Sequence, residues 1–330
     1  MISVVMAVYN GAKYLREQMD TIRLQSLPPQ EVLFCDDGSD DGTQALIGDY
    51  IAQYGLAPAW RLLCNEEKLG CFANFDHALQ LAAGEYIFLA DQDDLWEPDK
   101  LERMMAVLRE KPQIGLLCTD YTVFPAERVP LWKKKKKTAD GSLEQLTLSA
   151  KNVPLRSLGC CMGVRRSFRD AMRDYRFDGW PHDDRLWRLA LCADTCWLLH
   201  EPCVRHRLHD SNTATFTNYH NIDRRLRLLR DKLAAGHEMQ RCLQQSGAST
   251  EKIRVVQRQI AMLALRIRLL EEGRIADAAA LLRYLRDYET PRALPVELLL
   301  ALKRRVSRTG RSVKETENTV RENRNGNGEK

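Results

Sequence analysis

The chain runs to 330 residues, 44% of them hydrophobic; that is enough to bury a sizeable core, excludes disorder of the whole, and at roughly 150 residues per domain predicts one large domain plus an addition. The formal net charge of +5 is small but uneven, gathered in a run from Lys133 to Lys137 and a dense population from Arg224 to Arg311, which points to acidic partners, anionic lipid among them. Met1 leads straight into a strand-like stretch, no run of about 18 apolar residues occurs, and the ten cysteines are scattered, so a cytoplasmic protein with reduced thiols is expected rather than a secreted or membrane-spanning one.

Ile2 to Val8 is a β-branched apolar run ending at Tyr9-Asn10-Gly11, and Tyr14 to Leu24 follows with helical spacing. Glu31 to Cys35 repeats the pattern, ending at Asp36-Asp37-Gly38-Ser39-Asp40-Asp41-Gly42-Thr43, with a second helix from about Thr43 to Tyr54. Arg61 to Cys64 reads as a third strand, Asn74 to Ala83 as a helix, and Glu85 to Ala90 as a fourth strand running into Asp91-Gln92-Asp93-Asp94. Strands alternating with helices predict an α/β fold with an open, mostly parallel sheet, whose ligands sit outside the carboxyl ends of the strands. The polar clusters all fall at such ends, which predicts one shared site.

Ile114 to Phe124, Leu155 to Val164 and Trp197 to Val204 read as further strands, with a helix from Asp183 to Leu191. Cys192, Cys196 and Cys203 lie near His200 and His206 but lack the paired C-x2-C spacing of structural zinc, and are read as small buried apolar residues. Beyond about His220 only helices are predicted: Ile222, Leu226, Leu229 and Leu233 share a face, as do Ile253, Val256, Ile260, Leu263, Ile267 and Leu270. Gly273 separates a helix in which Ile275, Ala278, Leu282 and Leu285 line up, and a last helix is expected near Val296 to Val306. The expected division is therefore 1–215 for the α/β domain, 216–306 for a helical region and 307–330 for a disordered tail.

Asp91-Gln92-Asp93-Asp94 is the most informative cluster. Carboxylates crowded at a strand end repel unless a hard cation sits between them, and Mg²⁺ or Mn²⁺ prefers such oxygen ligands. A divalent ion there could bridge two phosphates of a nucleotide and stabilise charge on the leaving group. A bare D-x-D is also common in solvated turns, so the motif alone leaves both readings open.

Four segments in order carry more. Val4-Val5-Met6-Ala7-Val8-Tyr9-Asn10-Gly11, Cys35-Asp36-Asp37-Gly38-Ser39-Asp40-Asp41-Gly42-Thr43, Leu69-Gly70-Cys71-Phe72-Ala73-Asn74-Phe75 and Leu89-Ala90-Asp91-Gln92-Asp93-Asp94-Leu95-Trp96-Glu97-Pro98-Asp99-Lys100-Leu101 together resemble the family 2 glycosyltransferases, which have the nucleotide-diphospho-sugar transferase fold called GT-A. The Asp-Gln-Asp-Asp-x-Trp form is similar to the bacterial branch that includes rhamnosyltransferases for cell-surface polysaccharides. The resemblance is strong to about residue 110, patchy to about 215 and not evident afterwards.

The resemblance implies an inverting transfer of a sugar, rhamnose in that branch, from a dTDP- or UDP-sugar to a hydroxyl of a glycan or lipid-linked acceptor. Ala7, Tyr9 and Asn10 would border the nucleoside, with Tyr9 offering an aromatic face. Asp37 would accept a hydrogen bond from the base, or else form a turn, a task open also to Asp36 or Ser39. Lys68 would lie near the nucleotide or be solvated. Asp91 would face ribose or metal and Asp93 would ligate the metal. Trp180-Pro181-His182-Asp183-Asp184 resembles the family's His-Asp segment, so Asp183 would be the general base for the acceptor hydroxyl, with Asp184 as the alternative; helix-start charges favoured by the macrodipole would look the same. Trp96, Gly159, Cys160 and His182 would lie on the acceptor side. His206-Arg207-Leu208-His209-Asp210-Ser211-Asn212 resembles the segment that closes over the diphosphate, with His206 replacing a tyrosine; Arg207 would pair with phosphate and His209 would support metal or phosphate.

The lysine run lacks interleaved aromatics, so nucleic acid is not expected. It suits a solvated loop or anionic lipid, and the last helix, with Val296, Leu299, Leu300 and Leu302 beside Lys303, Arg304, Arg305 and Arg308, suits a membrane surface or packing on its neighbours. Two other classes remain: a nucleotidyl- or phosphotransferase, against which stands the lack of a glycine-rich phosphate loop, and a membrane-associated nucleotide-sugar-binding module without turnover.

Overall fold

The structure, a computed structural model, describes residues 1–125, 127, 139–210, 221–288 and 293–304. The lysine run, Ser211 and Asn212, Pro291, Arg305 and Arg308, and the 307–330 tail lie outside the described residues. The chain divides into two compact units, one of Met1–Thr215 with Arg241–Lys252, the other of Phe216–Gln240 with Ile253–Lys330.

The first unit is built on a nine-stranded sheet. Strands β1 (Ile2–Val8), β2 (Glu31–Asp36), β3 (Trp60–Cys64) and β4 (Tyr86–Ala90) run parallel in the order β3-β2-β1-β4. Strands β2 and β4 are buried at every residue, as expected for parallel strands covered on both faces. Helix α1 (Ala12–Arg23) buries Leu15, Gln18, Met19 and Ile22, the i, i+3, i+4, i+7 stripe that made it legible. Helix α2 (Thr43–Tyr54) and helix α3 (Cys71–Leu81) complete the crossovers. The chain steps from β1 to β2 and β3 on one side, then returns to place β4 on the other side of β1. The strand order therefore reverses between β1 and β4, and open α/β sheets bind ligands at such a reversal.

Beyond β4 the order is β8-β6-β9-β5, where β5 is Leu95–Trp96, β6 Leu116–Phe124, β8 Met162–Arg165 and β9 Cys196–Arg207; β7 (Leu143–Gln145) also pairs with β9. Strand β8 is antiparallel to both neighbours, while β6 and β9 pair in parallel. The sheet is thus mostly parallel with antiparallel insertions.

Three elements differ from expectation. Helix α4 (Lys100–Glu110) buries Leu101, Met104, Met105 and Leu108, a helical stripe directly after the acidic segment. Of the strand expected over 155–164, only the last residues join the sheet. Gly159–Cys161 is instead a buried 3-10 turn closed by the Cys161 N–H on the Leu158 carbonyl at 3.0 Å; an apolar run does not distinguish a buried turn from a strand. Helix α5 (Arg166–Ala171) and helix α6 (His182–Cys192) follow, the latter carrying the acidic pair in its first turn.

The second unit is helical. It contains most of α7 (Ile222–Gln245) and α8 (Thr250–Glu272), then α9 (Ala276–Leu281), a 3-10 turn Leu282–Tyr284 and a helix over 293–304. Its core gathers Leu226, Leu229, Met262, Leu263, Ile267, Leu270 and Leu281 among others. The stripe expected through Ile275, Leu282 and Leu285 is exposed, because α9 tightens into a 3-10 turn after Leu281 and the 3.6-residue period breaks there. No helix of the described residues is long and apolar enough to cross a membrane.

Candidate active site

The loops at the carboxyl ends of β1, β2 and β4 are tied to one another by hydrogen bonds. Asn10, at φ 48° in the left-handed region where asparagine is tolerated, donates its N–H to Ser39 Oγ at 2.9 Å and accepts the Asp40 N–H on Oδ1 at 3.0 Å. Gln92 pairs twice with the Tyr9 backbone, accepting its N–H and donating to its carbonyl, each at 3.0 Å. A Cβ on Gly11 would collide with the Gln92 amide, so the glycine makes this clasp possible. Ala7 sits half-buried in β1 just below. Tyr9 is 42% exposed, with Lys68 Nζ 3.5 Å from its ring centroid. One ring face is thus taken by the ammonium of Lys68, itself an exposed residue.

The two aspartates after β2 divide their tasks. Asp36 makes the turn, its carboxylate accepting from Gly38 N, Ser39 N and Gln44 Nε2 at 2.7 to 3.1 Å. Asp37 accepts Leu69 N and Gly70 N at 2.7 Å and Asn65 Nδ2 at 2.9 Å. Burial alone would raise the Asp37 pKa, but these donors and Lys68 outweigh it and hold it below the ordinary value. Of about four lone-pair positions, three are used by the loop that starts α3, leaving one for a ligand.

Asp91, Asp93 and Asp94 bring carboxylate oxygens within 4.8 Å of one another, and Asp94, Cys160 and His206 do likewise. Burial, then the charges of Asp94 and Asp93, push Asp91 well above its usual pKa. Asp93 is raised by burial and Asp94, opposed by His209 and His206. His209 Nε2 lies 2.6 Å from Asp93 Oδ2. His206 Nδ1–H donates to Asp94 Oδ1 at 2.9 Å, the same oxygen that accepts Arg207 N at 2.9 Å. Burial disfavours charge on His206, yet the bond to Asp94 and the neighbouring carboxylates raise its pKa overall. Asp94 Oδ2 is buried without a hydrogen-bond partner. Like charges packed this closely with an orphaned oxygen fit a hard cation. The Cys192, Cys196 and Cys203 sulfurs form no such group with a histidine among the described residues.

Arg207 donates from Nε to the Asp93 carbonyl at 2.8 Å and pairs with Glu17 at 2.7 Å. It is therefore engaged at the acidic segment.

The acidic pair in α6 separates cleanly. Asp184 Oδ2 accepts Trp180 Nε1 at 3.0 Å and Arg188 Nε at 2.6 Å, which binds it into the fold. Asp183 accepts only a local bond, from Asp184 N at 2.8 Å. Burial pushes its pKa up to about 6, with the Asp184 N–H opposing and the Asp184 carboxylate adding. Gly159 lies alongside: a Cβ there would stand 3.1 Å from His182 Nε2 and 3.4 Å from Asp183 Cβ. His182 stacks on Phe75 with ring centroids 4.0 Å apart, both its nitrogens are buried without partners, and burial drives its pKa down to about 3, so the imidazole is neutral.

Two expected acceptor-side residues are corrected. Trp96 is 3% exposed and lies in the main core, with Lys100 Nζ 3.5 Å from its ring centroid; no face is open to an acceptor. Cys160 is 0% exposed and its carbonyl receives Lys100 Nζ at 2.6 Å. Pairing of β5 with β9 draws Trp96 inward, and the 3-10 turn does the same for Cys160.

Cys71, at the start of α3, was not singled out. Crowding around its thiol raises its pKa to about 11, and the negative charges of Asp91, Asp183, Asp37 and Asp93 all add to the shift. Cys71 is exposed and stands beside Gly70, whose N–H binds Asp37, on the helix whose Phe75 stacks on His182. Nothing local in the sequence marks Cys71, Gln92 or Asp94 for these positions, although the last two stand within the acidic motif.

A sheet whose strand order reverses beside an acid cluster, with a carboxylate-bearing helix following, is the architecture of the GT-A fold. The chain belongs to the family described as "Glycosyl transferase family 2", which matches residues 3–172. It is similar to EpsE of Bacillus subtilis (strain 168), a glycosyltransferase by name, at 34% identity over 37% of this chain and 44% of EpsE. It is also similar to TuaG of the same organism, whose name assigns it to teichuronic acid biosynthesis, at 29% over 40% of this chain and 51% of TuaG. The chain therefore spans about half the length of these relatives. The fold matches Staphylococcus aureus TarS 1–349 in complex with UDP-GlcNAc, with a TM-score of 0.60, 17% identity and coverage of 94% of this chain and 92% of that one. It also matches the mannosyltransferase PcManGT from Pyrobaculum calidifontis in complex with GDP-Man and Mn²⁺, with a TM-score of 0.52, 19% identity and coverage of 92% and 86%.

Proposed function

We propose that the chain is an inverting, cation-dependent transferase that moves a sugar from a dTDP- or UDP-sugar to a hydroxyl of a glycan or lipid-linked acceptor in bacterial surface polysaccharide synthesis. Residues 1–215 would be the catalytic domain, 216–306 its helical companion, and the site of action the inner face of the plasma membrane. The observation that carries the reading is geometric: Asp37 holds the start of α3 through the Leu69 and Gly70 N–H groups, Phe75 of the same helix stacks on His182 beside Asp183, and Asp91, Asp93 and Asp94 gather at the end of β4. A relative named for teichuronic acid biosynthesis and neighbours solved with UDP-GlcNAc or with GDP-Man and Mn²⁺ support the substrate class.

In this reading Tyr9, Asn10 and the remaining lone pair of Asp37 receive the nucleoside, with Ala7 bordering it and Lys68 near the nucleotide. Asp91 and Asp93, with His209 beside them, would hold Mg²⁺ or Mn²⁺, which would supply positive charge against the diphosphate. Arg207 turns to the phosphates: Glu17 is exposed, and a surface pair of this kind is worth little, so phosphate oxygens can replace it. Asp183 accepts the proton of the acceptor hydroxyl, for which a pKa of about 6 lies near working pH. Gly159, on the acceptor side, lets α6 pack close and so sets the position of Asp183, and His182 stays neutral beside it. Rhamnose is the proposed donor sugar.

The test is a screen of nucleotide sugars with Mg²⁺ and Mn²⁺ for release of nucleoside diphosphate, repeated for Asp183→Asn. Transfer should vanish in the variant while donor binding persists. Undiminished transfer by Asp183→Asn would remove the base assignment, and absence of release with every donor would remove the enzymatic reading.

A further inference from the structure

Lys100 opens α4 and is 0% exposed. A buried ammonium needs both hydrogen bonds and opposite charge. Its hydrogen-bond needs are partly met by the Cys160 carbonyl at 2.6 Å and by the face of Trp96, 3.5 Å from Nζ to centroid. Neither group carries a negative charge. The same Cys160 that holds Lys100 places its sulfur within 4.8 Å of an Asp94 carboxylate oxygen and a His206 ring nitrogen. Asp94 is also 0% exposed, and its Oδ2 has no hydrogen-bond partner. Lys100 and Asp94 are thus a buried cation and a buried anion lodged on either side of one residue, and burial that lowers the Lys100 pKa is opposed by the nearby thiols and by Asp94.

We propose that Lys100 is a fixed counter-cation of the acid cluster: it balances Asp94, leaves Asp91 and Asp93 as the divalent-cation side, and lowers the affinity of that side for a free divalent cation. Lys100 is a positioning residue and touches no substrate. It acts by charge on the metal side, and through Asp94, which holds His206 and the backbone of Arg207, on the residues facing the phosphates. The inference rests on the reading of Asp91 and Asp93 as cation ligands given above.

The sign of one measurement separates charge balance from packing. Mn²⁺ binding to the full chain without nucleotide is measured by electron paramagnetic resonance for wild type, Lys100→Met, Lys100→Gln and Asp93→Asn. Removing a positive charge beside the carboxylates should tighten Mn²⁺ binding roughly tenfold in Lys100→Met. A loosened site would bind Mn²⁺ less well. If Lys100→Met does not fold, Lys100→Gln, which keeps a donor for the Cys160 carbonyl, makes the same comparison. Unchanged or weaker Mn²⁺ affinity in a folded neutral variant overturns the proposal. If Asp93→Asn binds Mn²⁺ as wild type does, the cation-ligand reading itself fails, and Lys100 with it.

Discussion

The helical unit and the sheet unit each gather carboxylates away from solvent, and the two differ in how those carboxylates are satisfied. In the helical unit Glu297 is 0% exposed and is enclosed by Arg266, with bonds of 2.7 to 3.1 Å, by Arg225 at 2.8 Å and by the Tyr288 hydroxyl at 3.4 Å. Every bond there is internal, so the cluster serves the fold. In the sheet unit Asp91, Asp93 and Asp94 crowd together, and burial with the neighbouring carboxylate charges holds Asp91 and Asp93 above their ordinary pKa. Charges left in conflict on a folded scaffold mark the place where a ligand completes the structure.

The comparison can be broken where its effects are largest. Asp183→Asn should lower kcat by about a hundred- to ten-thousand-fold with the denaturation midpoint held, as read by nucleoside diphosphate release and by urea unfolding. Glu297→Ala should do the reverse, costing about 3 to 5 kcal/mol of stability because Arg266 and Arg225 are left buried without their anion. Equilibrium denaturation measures that loss; a drop in turnover without it would show that the helical cluster takes part in the chemistry. Next comes pH. Burial raises the Asp183 pKa to about 6, and a base works only when deprotonated, so the rate should be level above that value and fall about tenfold for each pH unit below it. A pH–rate profile of Asp183→Asn that kept the same acid limb would assign it to another group. The smallest effect is expected from Gln92→Ala, which removes two hydrogen bonds from the Tyr9 backbone. About 1.4 kcal/mol, read as a roughly tenfold rise in donor KM with kcat little changed, is the expected cost.

Much of the first unit was legible because local patterns and tertiary structure agree there. The apolar runs of β1, β2 and β4 are buried over nearly their whole length, and the α1 stripe faces the core as its spacing requires. Agreement was poorer around the acceptor side. Gly159-Cys160-Cys161 is apolar and flanks a true strand, yet its backbone closes a turn under α6; periodicity carries no signal for that choice. Helix α4 did have a signal, Leu101, Met104, Met105 and Leu108, which the adjoining acidic motif overshadowed. Trp96 read as a binding aromatic since it follows the motif, and only the pairing with β9 turns it inward.

By itself the sequence determined the alternation of strands and helices, the placement of polar clusters at strand ends and the gathering of carboxylates in one segment, since these follow from periodicity and from residue chemistry over short spans. The tertiary structure alone decided which of two adjacent aspartates is tied to the Trp180 and Arg188 side chains, because these reach Asp184 and not Asp183. It also set Lys100 beside Cys160, 60 residues away in the chain, and joined His206 to Asp94 across 112 residues. Burial and charge act through space, so no spacing along the chain encodes them.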